Sequence, residues 1–201
     1  EKGINLYSLS TSDLNNLKPE KIKNNPKICW DYKRYLNIWI VENMGDSVST
    51  PHYILNTADL NQIQGVSFEQ LSLEEIEKQE YSLTDIGLIY GARDFAIEDV
   101  GYPTQMGKFF GLLDTENQKE DYCEDTFAYN TYKEPWNTAL EGSNSRLKIS
   151  TDGLIFYSVN IMDASSYKNT ISMDQVKRIR TITDNCPHRW ARKSDWAFTG
   201  K

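Results

Sequence analysis

The stretch from Gly101 to Asp114, Gly-Tyr-Pro-Thr-Gln-Met-Gly-Lys-Phe-Phe-Gly-Leu-Leu-Asp, constrains this chain more than any other. Met106, Phe109, Phe110 and Leu113 recur at i, i+3, i+4 and i+7, the spacing that gathers side chains on one face of a helix. Pro103 has no amide hydrogen and is tolerated only in a helix's first turn, so the helix is expected to start at Tyr102 or Pro103 and run to Phe110. Gly111 then supplies the left-handed backbone on which helices commonly end. By itself the stretch reads as a core helix with a glycine cap.

The rest of the chain has to bury that helix. The 201 residues are 39% apolar, enough for one sizeable core, and no repeat or linker divides them, so a single domain over 1–201 is expected. Twelve tyrosines, seven phenylalanines and five tryptophans argue against disorder away from the ends. A net charge of −7 opposes a phosphate-tracking surface, so nucleic acid is not expected as a partner. No apolar run is long enough to span a bilayer, and no charged segment followed by an apolar one marks a signal peptide. The start at Glu1 fits a mature or trimmed chain. Cys29, Cys123 and Cys186 lack CxxC spacing, which argues against a zinc-thiolate site and leaves open one disulfide with a free thiol, or three buried thiols. Only His52 and His188 exist, so three histidines cannot meet on one metal within a chain.

In chain order, residues 8–25 read as a polar helical segment broken at Pro19. Tyr35-Leu-Asn-Ile-Trp-Ile-Val41 is rich in β-branched and aromatic residues and is expected as a central strand. Residues 52–71 show no clean period, with a short strand around Tyr53 to Leu55. Ser72-Leu-Glu-Glu75 is a capping box opening a short helix to Gln79, and Ile86 to Tyr90 is the next strand, which Ala92 to Ile97 would extend. Residues 115–146 form a long acidic loop with interleaved aromatics, the kind that serves as a binding loop or lid. Residues 147–159 read as a hairpin broken at Thr151-Asp-Gly153. Ser172-x-x-Gln175 is a second capping box, opening a helix to Asp184 whose apolar face is Val176, Ile179 and Ile182. Lys177, Arg178 and Arg180 are expected on its solvated face. The tail, 187–201, is basic and is expected to wrap on the surface or fray.

Four of these pieces follow the order of a known family. Tyr35-Leu-Asn-Ile-Trp-Ile-Val41 resembles a strand of the pappalysin-like (cytophagalysin-like) metzincin metalloproteases, and Thr104 to Asp114 resembles their zinc helix, H-E-x-x-H-x-x-G-x-x-H. Tyr122-Cys-Glu-Asp-Thr126 with Tyr129-Asn130 is similar to the segment that follows it there, with Phe127 where proline is usual. Asn160-Ile-Met-Asp163 and Asp174 to Ile179 resemble the Met-turn and C-terminal helix, especially as bacteroidete lipoprotein members write them. The resemblance covers residues 35 to 183. It implies an α+β zincin fold: a mixed twisted sheet, an active-site-type helix, a Met-turn and a C-terminal helix.

The chemistry does not carry over. Thr104, Lys108 and Asp114 stand where the three histidines belong, and Gln105 stands at the general base. A zincin needs neutral imidazoles about 2.0–2.1 Å from the metal and a carboxylate to take a proton from bound water. Gln105 cannot accept that proton, and Lys108 would repel a dication. Met162 keeps the Met-turn position. The resemblance therefore implies a pseudoprotease with no zinc and no catalytic residues. Lys108 and Asp114 are expected to pair and replace the metal's tie between the helix and the segment beyond Gly111.

The retained cleft would bind a peptide or glycan, with Asp125, Tyr129, Trp136 and Tyr167 as candidate contacts, although aromatics in such a loop also serve simply to pin it down. Calcium has oxygen donors available in the acidic loop but no spaced calcium motif. An alternative is an active metalloendopeptidase with ligands drawn from elsewhere, and another is a purely structural surface protein. Cys186-Pro-His188 and Glu124-Asp125 are the remaining candidates for other catalysis; the first is hindered by its proline, and neighbouring loop carboxylates are usually solvated. The relatives imply a secreted, periplasmic or surface protein that meets the membrane only through a lipid anchor outside this sequence.

Overall fold

Short elements build the described parts of the molecule. The computed structural model describes residues 25–26, 28–32, 35–41, 53–55, 63–91, 102–116, 120–129, 147–164 and 168–186. In order these contain β1 (Asn37–Val41), β2 (Tyr53–Leu55), β3 (Phe68–Gln70), α1 (Leu73–Lys78), α2 (Leu83–Ile86), β4 (Gly87–Gly91), α3 (Tyr102–Phe109), β5 (Leu147–Ile149), β6 (Ile155–Tyr157) and α4 (Met173–Asn185). The architecture is mixed α+β. Among the described residues the strands form three two-stranded sheets, β1 with β4 and β2 with β3 parallel, β5 with β6 antiparallel, where a mixed twisted sheet was expected.

The β-branched and aromatic run does form β1, paired so that Trp39 lies opposite Ile89. It is not buried on both faces as a central strand would be: Ile38 and Ile40 are 42% and 49% exposed. The Asn37 amide clips the preceding segment to the strand, accepting from Trp30 N at 2.8 Å and donating to Trp30 O at 2.9 Å. Helix α1 opens as its sequence signature requires, with Ser72 Oγ accepting from Glu75 N and Ser72 N donating to the Glu75 carboxylate. Ser82 N donates likewise to Asp85 at 2.7 Å and starts the one-turn α2, which the sequence pattern did not single out because four residues are too few to show a helical period. Strand β3 escaped for the same reason of length.

Among the described residues the apolar core falls into three clusters. Cys29, Ile76, Tyr81, Leu83 and Ile86 pack between α1, α2 and the segment before β1. Leu88 and Tyr90 of β4 receive Phe109, with Met106 and Phe110 beside it, so the apolar face of α3 rests on β4 as its spacing requires. Fully burying a side chain of this size stabilises the fold by about 1.5–3 kcal/mol. Ile63 packs with Ile182 and Cys186 in the third cluster.

Helix α4 corrects its expected face. Its most buried residues are Gln175, Arg178 and Ile182, while Val176 and Ile179 flank them half-buried. Arg178 is 8% exposed and belongs to the core, not to the solvated face with Lys177 and Arg180. All three cysteines are buried thiols with no disulfide between them. The polar segment at 8–24, the extension at 92–97, most of the acidic loop and the tail lie outside the described residues.

Candidate functional site

Helix α3 places Thr104 and Lys108 one turn apart on the same side. The helix closes through Leu112 N to Gly107 O at 2.9 Å and Gly111 N to Lys108 O at 3.0 Å. Gly111 has φ +90°, open to glycine at little cost, and a Cβ there would come within 2.5 Å of Ile182. The chain therefore reverses tightly enough to bring Asp114 back to the helix. Lys108 Nζ meets Asp114 Oδ1 at 2.9 Å, with the two side chains 31% and 24% exposed. The expected ion pair is present, half-shielded. At that burial its contribution lies between the surface and the interior case, about 1–2 kcal/mol.

Beneath the helix lies Met162, 1% exposed, its sulfur so close to Gly107 that a Cβ there would approach within 2.5 Å. The turn that holds it is fixed by polar bonds. Asn160 Oδ1 accepts from Met162 N at 2.9 Å, and the amides of Asn160 and Gln175 bond reciprocally at 2.8 and 3.1 Å. Gln175 Oε1 also accepts from Ser172 N, so one side chain caps α4 and anchors the turn. Asp163 accepts from Ser158 Oγ, Asn160 N and Thr115 Oγ1. Thr115 sits directly after Asp114 and so carries the ion-paired segment into this network.

A zinc ion does not fit these donors. The Thr104 hydroxyl donates to Ile161 O at 2.7 Å and accepts from Lys168 Nζ at 2.7 Å. An ammonium group thus intrudes at two of the three positions that resemble zincin ligands: Lys108 itself, and Lys168 on the Thr104 hydroxyl. Among the described residues no three His, Cys, Asp or Glu side chains converge as a metal-binding group. Gln105 Oε1 is buried without a hydrogen-bond partner. His52 and His188 lie outside the described residues.

The other candidates have structural duties. Asp125 caps α4, accepting from Asp174 N at 3.0 Å. Burial pushes its carboxyl upward, but bonds from the Ser172 hydroxyl and the Asp174 and Met173 amides outweigh this and hold it below the usual carboxylate range. Glu124 N donates to Asp174 Oδ2 in return, so Glu124-Asp125 is a cap rather than an acid/base pair. Tyr129, expected as a ligand contact, is wholly buried. Its hydroxyl accepts from Ala164 N at 2.8 Å, and Lys148 Nζ lies 4.7 Å from its ring centroid. Burial and the neighbouring Asp163 raise its phenol's pKa. Trp136 and Tyr167 lie outside the described residues. Burial, then the Asp121 carboxylate, push the Cys123 thiol up to about 12, which makes it a poor nucleophile.

Beside the ion pair an open cleft of about 460 Å³ is lined by Gly65, Leu113, Asp114, Glu120 and Tyr122. Tyr122 has φ +56°, unusual for a bulky residue. Its ring packs against Gly65, where a Cβ would meet it at 2.4 Å, and lies 5.9 Å from the Arg178 guanidinium. Arg178 is the main residue that sequence reasoning missed. Its Nε donates to Gly111 O at 2.5 Å and its Nη2 to Gln64 O, joining α4, the end of α3 and the cleft wall. No sequence signal marks it, since its partners are backbone carbonyls.

No protein-family model, curated protein or solved structure matches the chain. The likeness to metzincins rests on the motifs and their order.

Proposed function

We propose that this protein is a zinc-less, catalytically inactive metzincin-like protein that binds an extracellular peptide in the cleft beside α3. The observation that carries the reading is the Lys108–Asp114 pair, which closes an ion pair where a peptidase of this kind would converge its ligands. Supporting it are Met162 beneath Gly107 and the glycine turn beyond the helix. A pseudoprotease loses the metal's cross-link, and an ion pair with an arginine on the turn carbonyl offsets that loss without restoring chemistry. An extracytoplasmic setting, with membrane contact only through a lipid anchor, belongs to the same proposal.

The test is to incubate the purified protein, with and without added zinc, with a degenerate peptide library and read new termini by mass spectrometry. No new termini are expected, while the immobilised protein enriches peptides from the same library. Zinc-supported cleavage that a chelator stops would overturn the reading.

A further inference from the structure

We infer that the cleft lined by Gly65, Leu113, Asp114, Glu120 and Tyr122 receives a basic side chain, of the lysine or arginine type, from a bound peptide; this rests on the reading of the protein as a peptide-binding module. Its volume, about 460 Å³, lies within the range of small-ligand sites and exceeds what one such side chain needs. Among the described residues, the charged groups that line it are both carboxylates. Asp114 spends Oδ1 on Lys108 at 2.9 Å, which leaves its second oxygen for a ligand. Glu120 is exposed and makes no ion pair among the described residues.

The apolar part of the lining suits the same guest. Leu113 and the Tyr122 ring give a surface for the methylene stem of a long cationic side chain, whose head then reaches the carboxylates. An anionic guest would face two carboxylates. The cations nearby are committed elsewhere. Lys108 holds Asp114, and Arg178 donates to the carbonyls of Gly111 and Gln64 from behind Tyr122. Asp121, next to the lining residues Glu120 and Tyr122 in the chain, is bonded to Thr126 Oγ1 and Cys123 N.

The wall is held in place rather than improvised by the guest. Gly65, at φ +78°, admits Leu113 and Tyr122 where any side chain would collide with both. A Gly65 variant would therefore close the cleft and disturb its backbone together, which makes Glu120 the cleaner residue to change.

The experiment is a two-dimensional amide NMR titration with three probes of similar length: N-acetyl-lysinamide, N-acetyl-argininamide and the uncharged N-acetyl-norleucinamide. The two cationic probes are expected to shift the amides of Gly65, Leu113 and Tyr122 saturably, and the norleucine probe is not. In Glu120→Gln, exposed and so neutral for folding, affinity for the lysine probe is expected to fall about threefold to fivefold, as for one surface charge pair. Equal binding of the norleucine probe, no saturable shift at these amides, or an unchanged affinity in Glu120→Gln each overturns the inference. Those outcomes leave peptide enrichment by the immobilised protein untouched, whereas zinc-supported cleavage would sink the broader reading without altering the probe titration.

Discussion

Around α1, α2 and β4 the buried side chains are mostly apolar, Cys29, Ile76, Tyr81, Leu83, Ile86, Leu88 and Tyr90, with Asn37 and Asp85 as the buried polar exceptions. Past Asp114 the interior changes in kind. Of nine buried polar or charged residues among the described ones, seven (Thr115, Lys148, Ser150, Asn160, Asp163, Gln175 and Arg178) lie in this later part. Apolar packing tolerates small changes of shape because its neighbours adjust. A buried hydrogen-bond network does not, because each lost partner strands another group away from water. The region beneath α3 should therefore be specific and brittle, and the first region forgiving.

The sharpest test of that contrast is a pair of near-isosteric changes. Gln175→Leu leaves the Asn160 amide and Ser172 N without their partners and is expected to cost about 3–5 kcal/mol in urea unfolding. Ile86→Val, on the apolar side, should cost only about 1 kcal/mol. Similar losses from the two would break the comparison. Next in size, Arg178→Met keeps the stem but abandons the carbonyls of Gly111 and Gln64, with an expected loss of about 2–3 kcal/mol and altered amide shifts at Tyr122.

A smaller effect belongs to the half-shielded pair. A double-mutant cycle over Lys108→Met and Asp114→Asn should give a coupling of about 1–2 kcal/mol that shrinks in high salt. Coupling indistinguishable from zero at low salt would mean that the pair does not tie the helix to the segment beyond Gly111. The smallest effect is at the rim, where Asp125 caps α4. Its carboxyl titrates lower when folded than when unfolded, so its contribution is complete above the ordinary aspartate pKa of about 4 and fades as pH falls through the lower folded value. Asp121 opposes it: burial raises that carboxyl, so protonating it favours the fold as pH falls. Asp125→Asn should flatten the acid limb of stability and Asp121→Asn should steepen it, as followed by urea midpoints between neutral and acid pH.

What could be read in advance follows from the range of the forces involved. Capping boxes at Ser72 and Ser172, the helix beginning at Tyr102 and the strand running to Val41 are local, each written within a few residues. The Lys108–Asp114 pair was legible because the resemblance sets two opposite charges at positions that converge on one point, and the glycine reversal does bring them together. Gln175 and Arg178 were not, because their partners lie at Asn160, Gly111 and Gln64 and leave no period in the sequence. Tyr129 misled for a related reason: an aromatic in an acidic loop looks available to a ligand until Thr115, Ala164 and Lys148 are seen to enclose it. The cleft wall at Tyr122 and Glu120 was equally hidden, since it exists only where the loop returns to Gly65.

The three buried thiols give this molecule a set of internal clocks. Cys29 sits in the apolar cluster, Cys123 in the loop that caps α4, and Cys186 at that helix's end beside Ile63 and Ile182. An alkylating reagent reaches each sulfur only when its own surroundings open, so three labelling rates in one sample time the breathing of three parts of the fold. With no disulfide among them, all three sulfurs start as thiols, and the timing needs no prior reduction step.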